Sequence, residues 1–389
     1  FFVSFIGIMI GLEIPVIIRI NNDFSGELST NLGNILSADY LGSLAGSLIY
    51  VFVLLRFVPI TEAAFITAGM NFLLAFVTYV YFGFKRLIRP GIVTTALMLA
   101  VCSAIVAGYS QNREWTIKIE QPLYDDPIIL SRTSRYQHIA ITHYKPLNET
   151  RLFLNGNLQF CSTDEARYHE PMVHPIMNLV PVRSRVLILG GGDGCALREV
   201  LIYKDVETVL LVDLDPEMTT LAASHPLLRQ INQDAFKDAR LTTLTGEGIN
   251  PGVDRSVYME GSSGRHPAKK PPPAQKIAQV SYMNLDADLF LNRASGFWDV
   301  IIVDMPDPST PELTKLYTTQ FYKKIKRRLA VHGMMVVQST SPYLAKESFL
   351  CIGRTIRSAG FTALPFHENV PSFGDWGWHL AWHPEVSTQ

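Results

Sequence analysis

Charge is scarce in this chain, and so is any arrangement of cysteines. Of 389 residues only 18% are charged, and the formal net charge is −1. No chain-wide polyanion partner is implied by that balance, so nucleic acid is not expected. The four cysteines, Cys102, Cys161, Cys195 and Cys351, have neither a short disulfide spacing nor a zinc-ligand spacing. This argues against a disulfide scaffold or structural zinc site, and fits a reducing compartment. No bound metal is expected, and no secretory signal is visible.

The deficit of charge is matched by an excess of apolar residues. A mean hydropathy of +0.15 is too high for a purely soluble protein of this length. The excess lies at one end, where residues 1–20, 41–60, 63–84 and 91–109 each approach the twenty or so apolar residues that cross a bilayer. A multi-pass helical membrane domain over residues 1–109 is therefore expected, with the lipid bilayer as its partner. The chain begins inside an apolar run, which leaves room for further helices upstream. Glu13, beside Pro15, is costly in lipid and belongs against neighbouring helices or a polar cavity. Lys85, Arg86 and Arg89 would be cytoplasmic by charge bias, placing the residues after the fourth segment outside, but Arg56, Arg113 and Lys118 nearly balance them. The glycine turn farther along the chain, read below, favours the cytoplasmic face of the cell membrane for the domain that carries it, and that face is the expectation.

Past the apolar end the period changes. Residues 136–144 and 151–160 alternate polar and apolar positions around Asn155-Gly156, which reads as a small antiparallel β domain over residues 110–163. Ser162 and Glu165 then fit a capping box opening a helix. An α/β Rossmann-like domain is expected over residues 164–389, interrupted by an insertion at 246–279. That insertion is rich in Gly, Pro and Lys, and reads as a solvated loop.

The strand Val186-Leu187-Ile188-Leu189 runs into Gly190-Gly191-Gly192-Asp193-Gly194, the first βα turn of a nucleotide-binding unit. A second strand ends at Asp213, placed for two ribose hydroxyls. Asp193 inside the turn would repel a pyrophosphate held at a helix N-terminus, so a dinucleotide fits badly. A methyltransferase acid two residues before the first glycine is replaced here by Ile188. An acid within the turn suits a cation such as a sulfonium nucleoside with an alkylamine tail.

Several motifs in order resemble the spermidine synthases, or polyamine aminopropyltransferases, in the version fused to a membrane domain. They are Ser134-Arg135-Tyr136-Gln137, Leu154-Asn155-Gly156 with Gln159, Asp164-Glu165 with Tyr168-His169-Glu170, the glycine turn with Arg198-Glu199, and Asp304-Met305-Pro306-Asp307-Pro308. Gly11 to Pro15 and Asp39 to Gly42 resemble the membrane-bound members. The resemblance spans roughly residues 115–385 and implies a class I methyltransferase-like fold. It implies no cofactor, decarboxylated S-adenosylmethionine as co-substrate, a diamine or polyamine acceptor, and a homo-oligomer of at least two copies.

It also implies site residues. Asp304 would be the proton acceptor, with the bare helix cap as its structural alternative. Gln137, Asp193, Asp213, Asp286, Ala287 and Pro311 would meet the donor. For the adenine acid, Glu247-Gly248 competes with Asp286-Ala287, and Asp286 is preferred because it lies thirteen residues before Asp299. Tyr168, His169, Asp193 and Asp307 would hold the acceptor amine, with Tyr168 as an apolar wall and His169 as a neutral partner. His169 and His174, five residues apart on a helix, do not share a face for a metal. Pro371 to Trp378 would be a late loop closing over substrate, with Phe373 where soluble members carry a tyrosine; this leaves the acceptor's identity open. Two readings from other classes stand beside this one: an S-adenosylmethionine-dependent methyltransferase, and a non-catalytic polyamine sensor or transport partner.

Overall fold

The computed structural model describes residues 2–22, 28–54, 58, 60–86, 88, 91–240 and 279–384. The competing adenine acid Glu247 and most of the expected insertion lie outside the described residues. The chain forms two compact units, Phe1–Thr116 and Ile117–Gln389.

The first unit is helical. Helices cover Phe2–Asn22, Leu28–Ile49 with a π-helical continuation Tyr50–Leu54, Ile60–Phe84 and Ile92–Glu120. Among the described residues, three stretches are long and apolar enough to cross a membrane: Ser29–Leu54, Thr61–Phe84 and Ile92–Asn112. The second helix begins well before the expected residue 41, because its first turns carry Asn31, Asn34, Ser37 and Asp39, which dilute the apolar signal without stopping the helix. Phe2–Asn22 is also helical, and holds Pro15 and Glu13. Leu44, Phe52, Leu73 and Leu97 are all exposed, as apolar faces of a spanning helix are. Polar links inside this unit are few, chiefly the Tyr79 hydroxyl with Thr94 and Thr95, at 3.2 and 3.1 Å.

The second unit opens on a four-stranded antiparallel sheet: Ile128–Thr133 (β1), His138–Tyr144 (β2), Glu149–Leu154 (β3) and Asn157–Cys161 (β4). Asn155 and Gly156 form the two-residue turn between β3 and β4, both with positive φ, as the sequence predicts. The capping box does not form. The helix runs Ala166–Leu179 with no side-chain cap, and the Ser162 hydroxyl accepts from the Thr150 amide at 2.9 Å instead. Glu165 is used elsewhere.

The larger sheet contains Arg185–Gly190 (β5), Thr208–Asp213 (β6), Gln279–Asn284 (β7), Trp298–Asp304 (β8), Leu329–Gln338 (β9), Thr362–Val370 (β10) and Gly374–Trp382 (β11). Its order is β10-β11-β9-β8-β5-β6-β7. Strands β7, β6, β5, β8 and β9 are parallel, and β11 and β10 add an antiparallel edge. The unbroken apolar run of β5 results from burial on both faces: Val186 and Ile188 enter one core, Leu187 and Leu189 the other. The chain leaves β5 toward β6 and β7, then returns to β8 on the other side. This reversal between β5 and β8 opens a crevice at their carboxyl ends, where open α/β sheets bind ligands.

Candidate active site

The glycine turn sits in that crevice, and its glycines are required by close approach. Gly190 has φ +85°, and a Cβ there would run into the Asp304 carbonyl, which accepts the Gly191 amide at 3.1 Å. A Cβ on Gly192 would lie 2.6 Å from the Asp213 carboxyl carbon. The turn thus binds the tips of β6 and β8 to that of β5. Asp213 is held at both oxygens, by the Gly192 amide at 3.0 Å and the Asp215 amide at 2.8 Å. Burial pushes its pKa up to about 7.

Near the tip of β6, Asp215 is a residue that sequence reasoning passed over. Its carboxylate accepts from Ser134 at 2.7 Å and from the Gln137 amide at 2.9 Å, and caps the helix Pro216–Ser224. Gln137 is therefore positioned from behind by Asp215. Asp286 caps the helix Ala287–Arg293 through the Asp288 and Leu289 amides, and pairs with Lys315 at 2.6 Å. Its pKa is lowered, since Lys315 and the cap bonds outweigh burial. Lys315 comes directly after the helix Pro311–Thr314, so the pair draws Pro311 and Ala287 to the same side.

At the tip of β8, Asp304 is no helix cap; the next helix is capped by Thr310. Its carboxylate accepts the Tyr168 hydroxyl at 2.7 Å, across 136 residues of chain. Burial and the nearby Asp193 charge raise its pKa to about 6. Tyr168 is thus a polar ligand of the acid as well as a wall, with its phenol held protonated by burial and by Asp304. Its ring packs on Phe373 and Trp378. A ring nitrogen of His169 and a carboxylate oxygen from each of Asp193 and Asp304 lie within 4.8 Å of one another.

The sequence suggests His169 as a neutral partner, and the structure sets its ring against carboxylates on both sides. Its Nδ1 donates to the Glu165 carboxylate at 2.8 Å. Burial works against the charged ring, but Glu165, Asp193 and Asp304 outweigh it and raise the pKa. Arg198 grips both Glu165 oxygens, at 2.8 and 2.9 Å. With that guanidinium and His169 beside it, Glu165 stays ionised down to about pH 2 despite burial. His174 points away, bonding Tyr203 and Glu199.

Asp307 accepts from Gln338 at 2.7 Å and Thr340 at 3.0 Å, and Tyr317 in turn donates to Gln338. These holders at the end of β9 carry no motif in the sequence. The expected closing loop is a hairpin tip: Gly374 to Trp378 lie within β11, and Ser372 is tied to Asp164 by its amide and hydroxyl. Asp193 keeps one oxygen on the Cys195 amide.

Fold and site together define an α/β unit with a crevice at the carboxyl edge of its sheet, where clustered carboxylates suit cations. The spermine/spermidine synthase domain family matches residues 165–251 and 273–388. A polyamine aminopropyltransferase of Leptospira interrogans is 38% identical over 381 residues, covering 97% of this chain and 67% of its own. One from Oceanobacillus iheyensis is 36% identical over 381 residues, covering 98% and 66%. The chain spans about two thirds of the length of these relatives. A spermidine synthase solved with the transition-state analogue AdoDATO shares the fold, with a TM-score of 0.52 and 23% identity over 65% of this chain and 73% of that one. The chain belongs to the spermine/spermidine synthase family, and its enzyme class is that of the polyamine aminopropyltransferases.

Proposed function

We propose that the protein transfers an aminopropyl group from decarboxylated S-adenosylmethionine to putrescine, giving spermidine and methylthioadenosine. The observation that carries this reading is the convergence of Asp193, Asp304, His169 and Tyr168 in the crevice between β5 and β8. The donor's sulfonium makes the adjacent carbon electrophilic, so the step needs no metal. An amine with a pKa above about 10 arrives protonated, and an ammonium has no lone pair. Asp304 takes that proton as the nitrogen attacks; the new C–N bond forms while the C–S bond breaks, its electrons returning to sulfur. A carboxylate whose pKa is raised toward the working pH suits that task.

In this reading Asp213 holds the ribose, Gln137 the donor tail, and Asp286, Ala287 and Pro311 the adenine side. Asp193 lies between the two amines, and Asp307 holds the far end of the acceptor. The three long apolar helices support attachment to a membrane, with the enzymatic unit at its cytoplasmic face and lipid as a partner. A homo-oligomer of at least two copies belongs to the same proposal.

The test is mass-spectrometric detection of spermidine and methylthioadenosine from decarboxylated donor plus putrescine. Absence of methylthioadenosine with every diamine tried overturns the reading. Tighter calorimetric binding of ordinary S-adenosylmethionine than of its decarboxylated form would restore the methyltransferase alternative, and binding without turnover the sensor.

A further inference from the structure

Asp193 and Asp304 each bring a carboxylate oxygen within 4.8 Å of a His169 ring nitrogen and of one another. Behind that ring, Glu165 and Glu199 are buried, with one buried guanidinium, Arg198, between them. Like charges this close cannot all stay ionised without further cations. In the working complex the substrates supply them. Before substrate binds, the group in position to do so is His169.

Every element packed on His169 contributes. Glu165 faces it from the turn before its own helix, with Nδ1 bonded to the carboxylate at 2.8 Å and to the backbone carbonyl at 2.9 Å. The neighbouring Tyr168 ring stands edge-on at 4.9 Å. Asp193 faces it from the glycine turn and Asp304 from the end of β8, while Cys195 approaches the Glu165 side. Arg198 does not touch the ring; it fixes Glu165. It is itself immobilised by Glu199 at 2.6 Å and the Ile231 carbonyl at 2.6 Å. A guanidinium does not titrate in a protein, so the one proton that can leave the Arg198–Glu165–His169 chain is the one on the ring.

We propose that Arg198 and Glu165 are positioning residues that hold His169 as a cationic placeholder against Asp193 and Asp304, and that His169 gives up its proton when the acceptor's ammonium enters. One positive charge arrives and one proton departs to solvent, so the carboxylates are never left uncompensated. The raised pKa of His169 beside these carboxylates agrees with this. The inference rests on the proposed binding of an amine acceptor between Asp193 and Asp304.

The test follows the protonation state of His169 by nitrogen NMR of the full chain labelled in histidine, with His169→Asn identifying the resonance. Methylthioadenosine is bound first, which settles the ionisation of Asp213, and putrescine is then titrated at pH 7. The expected result is an imidazolium without putrescine and a neutral ring with it. In Glu165→Gln the ring pKa, measured before putrescine is added, should fall by about one to two units. Arg198→Lys, which keeps the charge but not the two-point grip, should give an intermediate pKa and serves if the glutamine variant does not fold. An unchanged ring state on adding putrescine, in a wild-type enzyme that still makes spermidine, overturns the placeholder. Failure of the wild-type enzyme to make spermidine overturns instead the reading of function.

Discussion

The two halves of the crevice are built differently. On the proposed donor side, Asp213 and Asp286 are fixed mainly by backbone amides close by, Asp213 by Gly192 and Asp215, Asp286 by Asp288 and Leu289. On the proposed acceptor side, Asp304, Asp307 and Glu165 are fixed by side chains from other parts of the fold: Asp304 by Tyr168, Asp307 by Gln338 and Thr340, Glu165 by Arg198. Backbone ties at strand tips come with the fold and suit a nucleoside whose shape does not vary. Side-chain ties can be altered singly, and in the proposed function they set the charge and length of the pocket that receives the amine. Variation in acceptor is therefore expected to come from the second half.

Substitutions can break or sharpen this contrast. The largest effect is expected from Asp304→Asn, which keeps an oxygen for the Tyr168 hydroxyl but removes the base. Turnover should fall roughly 10²- to 10⁴-fold, with donor affinity little changed. Retention of more than a tenth of the methylthioadenosine rate would remove Asp304 from the chemistry. In the unaltered enzyme, activity should decline as pH falls through about 6, where the Asp304 carboxylate takes up its proton.

Next comes Arg198→Met, which strands a buried carboxylate and should cost about 3–5 kcal/mol in denaturant unfolding. The pH dependence gives the sign. Glu165 is depressed from 4.5 to about 2, so its contribution is fully present above pH 4.5 and is lost as pH falls toward 2. A stability curve that keeps this acid slope in the variant would show that Arg198 is not what holds Glu165 ionised.

A smaller change is expected on the donor side from Gly192→Ala, whose methyl must displace Asp213. The KM for the donor should rise about tenfold, equivalent to about 1.4 kcal/mol, while kcat changes little. An equal rise in the KM for putrescine would dissolve the division into halves. Least of all, Asp286→Ala loses a helix cap and the Lys315 pair, and should lower stability by about 1 kcal/mol. Thermal unfolding unchanged within error would mean that the cap contributes nothing.

The same contrast explains what could be read in advance. The acids at strand tips were legible because a glycine turn or a strand end fixes their place within a few residues. Tyr168 and His169 were legible as positions, but their bonds to Asp304 and Glu165 were not, since spacing does not report such contacts. Asp215, Gln338 and Thr340 have no local signature: their work is defined only by what lies opposite. Ser162 and Glu165 fit a capping box by pattern, and the pattern lost because Arg198 offers Glu165 a buried ion pair, which is stronger than an exposed cap.

By itself the sequence determined the apolar helices, the α/β class, the glycine turn and the identity of the acids, because period, turn chemistry and residue type act over a few residues. Only the tertiary structure decided which acid meets which partner, and hence which groups carry a proton. Those states depend on burial and on charges brought within a few ångströms from segments up to 136 residues apart.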